Sequence, residues 1–150
     1  MTADREGLLT RFRAMRTELL EALDGLGPGQ LTEPMLDGWS VNDHLFHLAA
    51  WDYIRAQEVE RISAGHDSAW RISREHVSTF NALLHEANRG LSVEQAFWEL
   101  TRSREQLMAA IEAATPRGLD ASLYGEAALL SGHEAQHAGW IRRWRAERGY

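Results

Sequence analysis

The spacing of apolar residues constrains this chain more than any other feature. They recur three and four positions apart from the first turns to the last, no long run alternates apolar with polar, and only 3 prolines interrupt. That is the period of an α-helix facing a core, and it is incompatible with a half-buried strand. The expected class is therefore all-α.

Five helical segments can be drawn. The first covers about residues 4–24, where Leu8, Phe12, Met15, Leu19 and Leu23 form one stripe, and it stops at the glycine cluster around Pro28. The second has Ser40 as its N-cap, Asp43 in the first turn, and runs past Trp51 to about Ser63. A polar loop leads to the third, about residues 72–89, which turns Val77, Phe80 and Leu84 inward. Ser92 and Gln95 fit a capping box that opens the fourth, whose stripe of Phe97, Leu100, Leu107, Met108 and Ile111 ends before Pro116. The last segment is expected from about Ala121 to Arg148, and the irregular stretch 27–39 is long enough to cross one end of the assembly. With 150 residues, 44% of them apolar, the chain suits one domain spanning residues 1–150. An up-down-type four-helix bundle with an additional short helix or long loops is expected, and the interior of such a bundle is where facing side chains can build a metal site.

Composition removes several chemistries. All 16 basic residues are arginine and there is no cysteine, so the chain supplies no Schiff-base lysine, thiol nucleophile or thiolate metal site. The formal net charge of -6 opposes a nucleic-acid surface; the arginines at 142, 143, 145 and 148 suit a solvated helix end at the favourable pole of its dipole. No run approaches the roughly 18–20 apolar residues of a membrane span, and residues 1–10 lack the apolar core of a secretory signal. A cytoplasmic protein is expected, with no nucleic-acid or membrane partner. Any metal must be held by imidazole and carboxylate.

The chain has 7 histidines. His133 and His137 lie one turn apart on the last helix, on a stripe continued by Leu130, Trp140 and Trp144, so their β-carbons are roughly 5–6 Å apart. Two imidazoles on an inward face either bond to carbonyls and carboxylates or share an ion. The intervening residues complete H-E-x-x-H, the helix of zinc proteases. Those enzymes take a third ligand downstream, and here the tail after His137 offers only Glu147 and no histidine. A third ligand must come from upstream. His47 is the best candidate, being set in the apolar run from Leu45 to Trp51; His44 reads as a rim group, His66 as a loop residue, and His76 and His85 as surface or interhelix groups.

The run Gly38-Trp39-Ser40-Val41-Asn42-Asp43-His44-Leu45-Phe46-His47-Leu48-Ala49-Ala50-Trp51 resembles the N-terminal signature of the DinB-like superfamily of damage-inducible-type four-helix-bundle metalloenzymes. The later pair His133 and His137, the segment Phe80-Asn81-Ala82, and the helix start Leu91-Ser92-Val93-Glu94 are similar as well, so the resemblance spans most of the chain. It implies that His47, His133 and His137 share one divalent ion, zinc or nickel, with iron or manganese also suited to imidazole. Three neutral ligands leave the ion's charge uncompensated, which acidifies what binds at the open positions. Glu134 is not a family requirement. It is a candidate proton acceptor if it faces the open side, and a spectator otherwise. Trp39, Trp51, Tyr53 and Asn81 are candidates for the wall of a substrate pocket.

The resemblance implies metal-activated water or a small thiol, such as bacillithiol or mycothiol, acting on a small molecule as a hydrolase or thiol S-transferase would. The alternative is a non-catalytic binding or resistance protein with the same pocket, and a third reading is a helical interaction module whose histidines are structural. Relatives of this kind often pair as homodimers.

Overall fold

The structure is a computed structural model that describes residues 2–150. Among the described residues six α-helices form: α1 (Arg5–Leu23), α2 (Pro28–Thr32), α3 (Val41–Ser63), α4 (Arg74–Asn88), α5 (Val93–Ala113) and α6 (His133–Arg148). Two single-turn 3-10 helices, Arg117–Leu119 and Ala121–Leu123, precede α6. Among the described residues there is no strand, only isolated bridges between Thr2 and Asp120 and between Pro34 and Ser40. No described helix is long and apolar enough to cross a membrane.

Capping decides where the main helices begin. The side chains of Asp4, Ser40, Ser73 and Ser92 each accept a first-turn amide, satisfying donors a helix start otherwise leaves unpaired. At Ser40 the box is complete, because Asp43 returns to the Ser40 amide. At Ser92 only the serine half forms.

Four helices make the bundle. α3 packs along α5 and α1 along α6, and contacts between α1 and α5 and between α3 and α6 close the ring. Helix direction can be read from the bonded pairs. Asn42, Asp52 and Ser63 of α3 meet Leu91, Arg104 and Thr115 in rising order, so α3 and α5 run parallel. The pairs His44 with His137 and His47 with His133 run the other way, so α3 and α6 are antiparallel. α4 takes the return path outside the ring: Trp51 meets Asn81 and Asp43 meets His85. It buries no residue fully, and its Val77 and Phe80 add to a small cluster around Trp51 and Ile54.

Two larger clusters fill the bundle. One gathers Leu8, Phe12, Val59, Leu107 and Ile111; the other gathers Leu19, Leu45, Leu100, Ile141 and Trp144. Each fully buried side chain of this size contributes roughly 1.5–3 kcal/mol of hydrophobic stabilisation.

The C-terminal segment differs from its sequence reading. Residues 121–132 were expected to be helical, yet α6 begins only at His133, and Leu130, expected inside, is 53% exposed. Tertiary hydrogen bonds capture this backbone instead: the Tyr124 hydroxyl donates to Gly118 O at 2.6 Å, the Glu126 amide to Trp70 O at 2.8 Å, and Arg55 Nε to Ala128 O at 3.0 Å. Glycine is required at 125, where a Cβ would lie 2.2 Å from the Trp70 carbonyl oxygen. The loop carrying Trp70 is itself held by buried Glu58, which accepts from Ser68 Oγ and, at 3.2 Å, from the Ala69 amide. In the 27–39 stretch the chain forms α2, with Pro28 at its first position.

Candidate metal centre

α3 and α6 bring three histidines together. His47 Nε2 lies 2.8 Å from His133 Nε2, and His137 Nε2 lies 3.1 Å from the same atom. Each residue offers one ring nitrogen to a set lying within 4.8 Å of one another, a spacing that can hold a metal ion. Starting α6 at His133 sets the two α6 rings one turn apart at the mouth of the bundle. Antiparallel α3 then presents His47 to both.

Burial keeps the rings neutral. His47 is pushed down to about 3 and His133 to about 4, each chiefly by desolvation and then by neighbouring charge, and His137 is lowered further by the same causes. Neutral imidazoles have lone pairs to give.

His137 Nδ1 is 2.7 Å from His44 Nδ1, and His44 Nε2 is 3.0 Å from Asp37 Oδ2. The Asp37 carboxylate beside His44 Nε2 favours the tautomer protonated there, though the contact is not aligned as a hydrogen bond; in that tautomer His44 accepts at Nδ1, His137 donates there, and its Nε2 keeps a lone pair. His133 Nε2 faces both His137 and His47, and a proton on it serves only one of those contacts. A cation serves all three nitrogens. Zn–N bonds of about 2.0–2.1 Å set tetrahedral donors about 3.3–3.4 Å apart, within about half an ångström of these contacts. The residues fit a divalent ion.

Aromatic rings wall the cluster. Trp39 lies 5.5 Å from the ring centres of both His44 and His47 and stacks on His85 at 4.7 Å, while Trp140 packs 4.7 Å from His137. Gly38, at φ +87°, turns the chain to deliver Trp39. Two adjoining cavities reach the histidines. One of about 570 Å³ is lined by Trp51, Arg55, Arg74, Asn81, Glu126 and Gln136 beside His47 and His133. Another of about 310 Å³ lies under Trp39 and Trp140 and also touches Asn81 and Gln136.

The family model described as DinB superfamily matches residues 11–141. The chain belongs to the DinB superfamily. Its fold is shared with the crystal structure of an uncharacterised protein from Escherichia coli UTI89, at a TM-score of 0.78 over 97% of this chain and 94% of that one, with 16% identity. No curated protein matches.

In this DinB-superfamily chain, Trp39, Trp51 and Asn81 stand at the cavities, with Trp51 Nε1 donating to Asn81 Oδ1 at 2.9 Å. Tyr53 does not join them: two positions after Trp51 on α3 it turns to α5, donating to Glu99 at 2.9 Å. Glu134 is 4% exposed, and both its oxygens are engaged, by Arg16 Nε at 2.7 Å and Arg104 Nη2 at 2.8 Å. Both carboxylate oxygens are thus committed to guanidiniums, and Glu134 sits in a buried ion-pair network rather than among the residues lining the two cavities. His44, read as a rim group, is 2% exposed and supports His137. Trp144 is buried as expected, whereas Trp140, 42% exposed, covers the site instead of filling the core. Arg55, Arg74, Glu126 and Gln136 were missed, because cavity-lining polar side chains carry no periodic signal.

Proposed function

We propose that the chain is a divalent-metal-dependent enzyme acting on a small molecule, with His47, His133 and His137 as the ligands. The observation that carries this reading is the convergence of three neutral imidazoles from two helices, His47 and His137 buried and His133 half-buried, beside an open cavity. A bound zinc or nickel ion would supply Lewis acidity, lowering the pKa of water or of a small thiol such as bacillithiol or mycothiol.

The chain's own residues have definable tasks. Asp37 and His44 hold the His137 ring in the tautomer that leaves Nε2 free, the usual service of the groups behind a metal ligand. Trp39 and Trp140 exclude water on one side, and low local polarity strengthens every charge interaction at the site. Trp51 fixes the Asn81 amide by taking its oxygen, leaving the Asn81 amide nitrogen to face a ligand. Gln136, lining both cavities, offers a second donor and acceptor. Glu134 holds no role in proton transfer in this account.

The experiment is turnover of a panel of hydrolysable small molecules and thiol acceptors by metal-loaded protein. Activity lost on chelation and restored by zinc or nickel supports the enzyme reading. Stoichiometric binding without turnover replaces it with a sequestering protein.

A further inference from the structure

Beneath the histidines lies a buried charge network that does not balance. Arg16 of α1, Arg55 of α3 and Arg104 of α5 face only two carboxylates, Asp52 of α3 and Glu134 of α6. Arg104 reaches Asp52 at 2.9 Å and Glu134 at 2.8 Å, and Arg16 reaches the same two at 3.4 and 2.7 Å. Arg55 reaches only Asp52, at 3.1 Å. Arg55 is the least compensated of the three, because it shares its one carboxylate with the other two guanidiniums.

Arg55 is 4% exposed and lines the larger cavity. Its Nε bonds to Ala128 O and its Nη1 to Asp52, while its Nη2 has no protein partner among the described residues. Arg55 is thus paired on one side only, and a buried cation that shares its carboxylate with two other guanidiniums favours a further anionic partner. Arg74 lines the same cavity as the first residue of α4. It has no ion pair among the described residues and stands at the helix end that disfavours a cation. Glu126, the acid among the lining residues, offsets one of these two arginines. One positive charge remains unmatched.

We propose that this cavity binds a small monoanionic organic acid, its carboxylate held by Arg55 and Arg74 and its apolar part lying against Trp51 and Val77. A guanidinium fork matches a carboxylate in shape as well as charge. The inference names the substrate class of the site above and rests on that reading for its catalytic meaning, but the carboxylate seat is built from the chain alone. His47 and His133 line the same cavity, so an acid seated at Arg55 presents its neighbouring atoms to the histidines.

Calorimetric titration of the full chain, zinc-loaded and metal-stripped, with 3-phenylpropanoate and its neutral amide tests this. The metal-stripped protein is expected to bind the acid about tenfold or more tightly than the amide, the weight of a charge-assisted hydrogen bond. Arg74→Gln, on the surface, is expected to reduce that preference severalfold, and Arg55→Met to abolish it; should the second variant fail to fold, the first still decides. Equal binding of acid and amide, no binding of the acid at millimolar concentration, or a preference left undiminished by Arg74→Gln overturns the proposal. A preference in a chain that takes up no zinc would refute the metal reading alone, and zinc held at the three histidines without a preference would refute the carboxylate seat alone.

Discussion

Two buried polar groups occupy adjoining levels of the same bundle and are built in opposite ways. In the network of Asp52 and Glu134 with Arg16, Arg55 and Arg104, every carboxylate oxygen is engaged by a guanidinium. In the histidine cluster above it, three neutral ring nitrogens face one another with too few protons to bridge them. Neighbouring residues on one helix, His133 and Glu134, belong to the two different groups. A network whose carboxylates are all engaged ties helices together, whereas ring nitrogens left short of protons beside a cavity still have lone pairs to offer a ligand.

That contrast can be broken by substitution. Replacing His47 and His137 by alanine together is expected to lower zinc or nickel affinity by at least about a thousandfold, read by titration, because one ligand of three remains. The same pair should abolish the rise in melting temperature that added metal gives the parent chain. Glu134→Gln acts on the other group. It leaves Arg16 and Arg104 under-compensated and is expected to cost about 3–5 kcal/mol in denaturant unfolding while metal stoichiometry stays unchanged. A Glu134→Gln chain of unaltered stability but lost activity would return Glu134 to the chemistry.

Smaller effects sharpen the same division. Since His47 and His133 are depressed to about 3 and about 4 in the folded chain, the unfolded chain binds protons that the folded one does not once pH falls below about 6.5. The metal-free protein is therefore expected to be most stable above that value and to lose about 1.4 kcal/mol per pH unit per histidine between there and about pH 4. Denaturant midpoints across that range check it, and a flat profile would contradict the neutral assignment. His44→Ala removes only a support of His137, and a 10–100-fold loss of metal affinity is expected, with binding retained.

Much of this was legible in the chain. Ser40, Ser92 and the stripes of α1, α3 and α5 are local signals, since caps and periodicity are written in neighbouring residues. His133 and His137 declare their shared face by spacing alone, and His47 by its apolar setting. The extent of α6 was not legible, because residues 121–132 are held by bonds to Trp70, Arg55 and Gly118 that no local pattern announces. His44 was misjudged for a related reason. Its polar neighbours Asn42 and Asp43 suggest a rim, while its burial comes from α6 and from Trp39. Glu134, within an apparent protease motif, carries its meaning in Arg16 and Arg104, both distant in sequence.

The central claim is that His47, His133 and His137 hold one divalent ion. Anomalous diffraction from crystals of the metal-loaded protein tests it most directly. The account predicts one peak per chain, in contact with the Nε2 atoms of all three residues. A peak elsewhere, or metal-soaked crystals in which the three rings keep their mutual contacts with no ion between them, would contradict it.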